Sequence, residues 1–247
     1  MASYETGTRR FSRAEYERLI ELGVFQPGEP IELIGGDLMV AEPQSAAHYT
    51  AIQKTAKALG PGLRRWSRRE YARLIDHGFL DEDDPIELLD GLLLVKEPQS
   101  SPHRTAVLLV AKALEAAFGE GWFVQTQSPI VLDDRSEPEP DVCVVRGAPR
   151  DYVDAHPARP ALIVEVAHSG LGLARGRKAA AYARAGVADY WIVNLVERTL
   201  EVHREPARPG PARGHWGYAV VETLVAGDTI APLAAPSASL RIADLLP

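Results

Sequence analysis

Residues 10–59 recur at 65–114 with a constant offset of 55 positions and no gap. RRFSRAEYERLIELG at 9–23 matches RRWSRREYARLIDHG at 64–78, and PIELIGGDLMVAEPQS at 30–45 matches PIELLDGLLLVKEPQS at 85–100. His48 matches His103, and AKAL at 56–59 matches AKAL at 111–114. About half of the aligned positions are identical, too many for two helices that merely converged. This is a tandem duplication. Two copies are too few to stack into a solenoid, so the first half is expected to fold as two versions of one small unit, and the second half must supply a core of its own.

Both copies read alike. Ser12 or Ser67 stands as an N-cap, with Glu15 or Glu70 three residues on, the pattern of a capping box. A short amphipathic helix follows and stops at Gly23 or Gly78. An IEL strand, a turn at Gly35–Gly36 or Asp90–Gly91 and a second apolar strand then predict a β-hairpin. EPQS leads into a helix that begins near His48 or His103. The first copy's helix ends at Gly60-Pro61-Gly62, which sets the expected boundary: residues 1–62 as an extra repeat copy, and residues 63–247 as the main domain with the second copy inside it. In the second copy the helix runs on through AVLLVAKALEAAF.

Beyond Gly119 the pattern alternates. WFVQTQSPIVL (122–132), DVCVV (141–145) and ALIVEVAH (161–168) read as strands, LARGRKAAAYARAG (173–186) as a helix closed by Gly186, and DYWIVNL (189–195), LEVHRE (200–205) and GYAVVETLVAG (217–227) as strands. From residue 103 the order is helix, three strands, helix, strand, which predicts an α/β (α+β mixed) fold.

Composition narrows the function. Hydrophobic residues make up 46% of 247, mean hydropathy is -0.13, and no run approaches the roughly 18 apolar residues of a membrane helix. The polar start MASYETGTRRFSR lacks the apolar stretch of a secretory signal, so a cytoplasmic location and no membrane partner are expected. Cys143 is the single cysteine, which excludes an intramolecular disulfide and a zinc knuckle; its apolar surroundings suggest a core residue. A net charge of -7 argues against coating nucleic acid by bulk charge, though not against an enzyme with a local basic surface. Arg64, Arg65, Arg68 and Arg69 cluster around Trp66 and read as a solvated helix face; Arg175, Arg177, Lys178 and Arg184 form a second cluster. No GxGxxG joins a strand to a helix and there is no GxSxG, which argues against a Rossmann dehydrogenase and a serine hydrolase.

Glu165 is the residue that is hardest to place as a bystander. Strand alternation sets Leu162, Val164 and Val166 on one face and Ala161, Ile163, Glu165 and Ala167 on the other. A carboxylate in such a run is costly unless it is paired, bound to a metal or able to reach water at the strand end. Asp141 opens the preceding strand. Lys178 shares a helix face with Tyr182 and Ala185 and could lean inward along apolar neighbours. Two carboxylates at adjacent strand ends can hold a hard divalent cation through oxygen, and a lysine nearby can orient a water or offset developing negative charge. Tyr182 and Trp191 read as core aromatics.

The stretch EPEPDVCVV…PALIVEVAHSGLGLARGRKAAAYARAGVADYWIVNL resembles the Uma-two family of endonuclease-like proteins, within the PD-(D/E)XK superfamily. The FSRAEYERLIELGVF, PIELIGG and PQSAAH pieces resemble its N-terminal region, and GDTIAPLAAPSASLRIADLL resembles its C-terminal end. The resemblance implies a restriction endonuclease-like mixed sheet flanked by helices, here with a duplicated N-terminal helix–hairpin unit. It implies Mg²⁺ (or Mn²⁺) held by Asp141 and Glu165, with Lys178 assisting catalysis and Glu87 and His103 completing the site. The reaction implied is endonucleolytic hydrolysis of a nucleic-acid phosphodiester, DNA being the expected partner; a homodimer is compatible with it. The chain departs from the pattern at Ala167, where a lysine usually stands two residues after the glutamate, and at Ala174, where an aspartate often precedes the helix lysine. His103 reads equally well as a residue capping the helix start. The rival readings are a nuclease-fold module that binds nucleic acid or a protein without catalysis, and a structural dimer in which the duplicated unit is the working part.

Overall fold

The computed structural model describes residues 7–25, 29–40, 63–81, 83–96, 99–208 and 215–247. The expected boundary at Gly60–Gly62, the helix near His48 and His48 itself lie outside the described residues. The chain divides into two compact units, one within residues 7–96 and the other within residues 97–247.

The first unit contains both copies of the helix and hairpin. Copy one supplies helix α1 (Arg13–Glu21), strand β1 (Ile31–Ile34) and strand β2 (Asp37–Val40); copy two supplies α2 (Arg68–Asp76), β3 (Ile86–Leu89) and β4 (Leu92–Val95). The capping boxes form as expected. The Ser12 and Ser67 hydroxyls accept from the Glu15 and Glu70 amides, and those glutamates accept from the Ser12 and Ser67 amides in return. Each hairpin turns through two residues of positive φ, Gly35–Gly36 and Asp90–Gly91, which is the twist that a two-residue hairpin loop requires. At Gly91 close approach adds to this: a Cβ there would lie 2.9 Å from the Arg65 Cβ. Phe11, Leu19, Trp66, Tyr71, Leu74, Leu88 and Leu93 are buried together in one apolar cluster. The copies are not equally deep. All four residues of β3 are buried, whereas only Ile31 is buried in β1.

Within the arginine cluster around Trp66, Arg69 is exposed as its composition suggests, but Arg64 is not part of a solvated face. Arg64 is buried, its guanidinium 4.1 Å from the Trp66 ring centroid, and it pairs with Glu70 at 2.7 Å and Glu29 at 3.2 Å. Arg65 donates to the Asp90 carbonyl. In copy one, Arg9 makes the equivalent contact with Glu15 at 2.6 Å. Burial works to raise the Glu15 carboxyl, but the Arg9 hydrogen bond and those of Ser12 outweigh it and bring the group down to about 2. A depressed carboxylate contributes stability above its ordinary value near 4.5, and that contribution is lost as pH falls toward 2. Glu15→Gln should therefore lower the melting temperature at pH 6 and cost much less at pH 2; a gap of equal size at both, measured by thermal circular dichroism, would contradict the assignment.

The second unit is built on a six-stranded sheet in the order β10-β9-β8-β7-β6-β5. Its strands are β5 (Trp122–Thr126), β6 (Val142–Arg146), β7 (Leu162–Ala167), β8 (Asp189–Asn194), β9 (Thr199–Ala207) and β10 (Gly217–Leu224). Every pairing is antiparallel except β7 with β8, which is parallel. A parallel pair needs a crossover, and the helical stretch α4 makes it in three pieces: Leu171–Leu173, a π-helical turn over Ala174–Lys178, and Ala179–Arg184. Helix α3 (Ser101–Phe118) precedes the sheet.

Apolar residues cover both faces. Leu162, Val164 and Val166 of β7 pack with Ala106, Val110 and Leu114 of α3. Ile163 and Ala167 pack with Ala174, Ala179, Tyr182 and Ala183 of α4. The alternation expected for β7 holds over residues 162–167; Ala161, just before the strand, packs instead with the α3 side. This is the mixed sheet flanked by helices that the resemblance implied. Expected strands are trimmed at their ends, β10 stopping at Leu224 and, most of all, β5 at Thr126, because Gln127 turns at a φ of 49° and Pro129 offers no amide to a ladder. Cys143 is fully buried, as its apolar run suggested.

Candidate active site

Strand register brings the two carboxylates together. Val142 of β6 pairs with Val164 of β7 in an antiparallel ladder. Continuing that ladder by one residue sets Asp141 opposite Glu165, and directly opposed residues share a face with Cβ atoms about 5 Å apart. Asp141 is anchored from that strand: its Oδ2 accepts the Val166 amide at 2.8 Å. The same oxygen lies 3.2 Å from the His103 Nε2, and Oδ1 lies 3.4 Å from the Gln127 side-chain amide.

Glu165 does not reach water at a strand end. It is 6% exposed, and its Oε1 accepts from the Lys178 ammonium at 2.9 Å and the Tyr182 hydroxyl at 2.6 Å. Lys178 is also 6% exposed, so the pair is buried as a pair. The lysine does lean inward beside Tyr182, as their spacing suggested; Ala185, expected on the same face, is exposed. It sits at the end of the π-helical turn, and such turns recur where a helix must aim a side chain at a site.

His103 is the third residue of α3, and its amide is capped by Ser100, so the ring is not the cap. The ring faces Asp141. Burial works to lower its pKa, but the hydrogen bond and charge of Asp141, with the charge of Glu165, outweigh it and leave the group above its ordinary value. Glu87 belongs to the first compact unit, where it is 1% exposed on β3 opposite Leu94; its counterpart Glu32 is exposed on β1.

Two contributors were not marked as functional by the sequence. Tyr182 is the fully buried core aromatic expected of it, yet its hydroxyl also holds Glu165. Its spacing from Lys178, one helical turn, is the signal that could have found it. Gln127 carried no signal, being a polar residue in a stretch that read as strand. Arg175 also belongs to the neighbourhood. It lies on the π-helical turn and forks onto Glu201 of β9 at 2.8 and 2.7 Å. Burial raises Glu201, and the hydrogen bonds from Arg175 and Asn194 bring it below its ordinary value.

A family model described as "Putative restriction endonuclease", Uma2, matches residues 68–243. The chain belongs to the Uma2 family. The match begins inside copy two of the repeat, so copy one lies outside it. Among solved structures, the chain is similar to a crystal structure from Anabaena variabilis ATCC 29413, described as a putative nuclease belonging to DUF820. It has a TM-score of 0.57 and 14% identity, covering 72% of this chain and 96% of that one. At that identity the likeness speaks to the fold alone. The comparison with curated proteins gives no match.

The donor set suits one class of cation. Among the described residues no group of three or more His, Cys, Asp or Glu side chains is placed to hold a metal. Two carboxylates on adjacent strands are what Mg²⁺ takes, since it keeps several waters and binds through one or two carboxylates. Among the described residues no helix is long and apolar enough to cross a membrane.

Proposed function

We propose that this Uma2-family site hydrolyses phosphodiester bonds of nucleic acid, DNA being the expected polymer, with Mg²⁺ (or Mn²⁺) held by Asp141 and Glu165. The observation that carries the reading is the buried Lys178–Glu165 contact at 2.9 Å beside an Asp141 fixed by the Val166 amide. A bound divalent cation would supply a Lewis acid and acidify a coordinated water. The protein's own groups do the rest. The Val166 amide and the His103 ring hold the Asp141 carboxylate in orientation, and Tyr182 and Lys178 do the same for Glu165. Lys178 brings a fixed positive charge to a water-poor site, where it offsets charge that develops on the phosphoryl oxygens. Arg175 places a second cation on the same helical turn.

A second reading, a nuclease fold that binds without cutting, is favoured by Ala167, a buried methyl at the position where the superfamily usually carries lysine.

One experiment separates them. Purified chain is incubated with plasmid and single-stranded DNA and with RNA, in Mg²⁺ and in Mn²⁺, alongside Asp141→Asn, Glu165→Gln and Glu87→Gln, with metal binding followed by calorimetry. The nuclease reading expects cleavage that falls by more than about a hundredfold in the Asp141 and Glu165 variants, together with lost metal binding. Cleavage that survives both substitutions sinks it. Nucleic-acid binding without cleavage in any metal favours the second reading.

A further inference from the structure

The two repeat copies in the first unit contact each other reciprocally. The Arg9 amide of copy one donates to the Leu93 carbonyl of copy two at 2.8 Å; the Arg64 amide of copy two donates to the Leu38 carbonyl of copy one at 2.7 Å. These are the same two repeat positions, 55 residues apart, with the copies exchanged. Thr8 forms an antiparallel bridge with Leu94, and Leu63 forms its exchanged equivalent with Met39. Arg18 reaches the His77 carbonyl at 3.5 Å, and Arg73 reaches the Leu22 carbonyl at 3.2 Å. Phe11 stacks on Trp66 with centroids 5.7 Å apart, and these two are each other's counterpart.

Contacts in which i meets j and j meets i are the signature of a twofold, isologous interface, and a residue that meets its own equivalent lies on the axis. Edge strands explain why the copies pair. A lone two-stranded hairpin is marginal in water and exposes a pairing edge. Here the segment before each helix bridges to the second strand of the other copy's hairpin, so that edge is capped in both copies at once. The axis is apolar and closed: Phe11 is 5% exposed, Trp66 3%, and Leu19 and Leu74 are fully buried.

The two halves have also diverged in a way that favours unlike pairing. Arg64 uses Phe25, 5.0 Å from its guanidinium, and Glu29. In copy two the corresponding positions are Leu80 and Asp84, one without a ring and one a methylene shorter. A pair made of two second copies would lose both contacts.

We infer that the duplicated unit is a twofold dimer interface taken inside one chain: the surface on copy two fits another copy of the same unit, and copy one of the same chain fills it. A second chain reaches this surface by exchanging first copies. Covalent linkage in one chain gives the copies an effective concentration on the order of 1 mM, so pairing within the chain dominates at ordinary concentrations.

The test uses the full chain carrying Met39→Cys and Leu63→Cys, positions bridged across the copies; the native Cys143 is buried. Oxidised without unfolding at about 1 µM, it should give a fast-migrating monomer with two thiols consumed, and neither single variant should do so. Dimers as the main product would overturn closure within the chain, and intact thiols in a protein of native circular dichroism would overturn the pairing itself. Unfolding in urea, refolding at rising concentration and then oxidising tests exchange. With the effective concentration above, interchain crosslinks should rise from about a thousandth of the total at 1 µM to roughly a tenth at 100 µM. A fraction that stays flat over that range would overturn the exchange.

Discussion

Glu165→Leu should cost the second unit about 3–5 kcal/mol of stability, because it removes the buried carboxylate that meets the Lys178 ammonium at 2.9 Å and leaves a buried cation short of its counter-charge. Lys178→Met should cost less, since Tyr182 still donates to Glu165 at 2.6 Å. The double variant Glu165→Leu with Lys178→Met should recover most of the loss, as replacing a buried ion pair by apolar residues of similar size is often neutral. Urea unfolding of the four chains gives the coupling. Effects that add within about 0.5 kcal/mol would mean that the two groups do not share one buried site. All three variants should lose cleavage alike, so stability and activity part company in the double variant. That separation distinguishes a pair kept for chemistry from one kept for folding.

Why Glu165 could be singled out from sequence, and its partners only in part, comes down to periodicity. Period-two alternation fixes which face a strand residue takes, so a charge in ALIVEVA announces itself as a buried exception. Lys178 and Tyr182 are four apart on a helix, and helical periodicity puts them on one face. What periodicity does not carry is the phase between elements. The π-helical turn over Ala174–Lys178 shifts the helix at the residues that aim at Glu165 and Glu201, and nothing in LARGRKAAAYARAG marks it. Gln127 lies further beyond reach, since its place beside Asp141 depends on a positive φ that ends β5 early.

The repeat shows the same limit from the other side. Its capping boxes, helices and hairpin turns are local, and both copies form them where the sequence put them. The arginines next to Trp66 are charged and read as surface. Arg64 becomes interior because the first copy closes over it, a contact between segments that composition does not encode. Arg64 is a buried cation whose partners, Glu29 and Glu70, come from different copies.

Asp189→Ala should be as damaging as any single lesion in the sheet, at about 3–5 kcal/mol, and should not touch the chemistry directly. Asp189 opens β8 and has no exposed surface. One oxygen accepts from the Trp191 indole at 2.8 Å and the Arg204 guanidinium at 2.9 Å; the other accepts the Leu233 amide at 2.8 Å. Removing the carboxylate leaves three donors to find new partners and loosens the segment carrying Leu233 from the sheet. Asp189 and Glu165 are both buried carboxylates on neighbouring strands. Their partners differ. Asp189 takes an arginine, an indole and an amide from elements that it ties together, whereas Glu165 takes a lysine and a tyrosine from one helical stretch and stands opposite a second carboxylate. The expected result is a large fall in the urea midpoint for Asp189→Ala, with metal affinity and cleavage unchanged in the fraction that stays folded. A fall below about 1 kcal/mol would show that the network contributes little; lost metal affinity in the folded fraction would extend the site to the β8 end of the sheet.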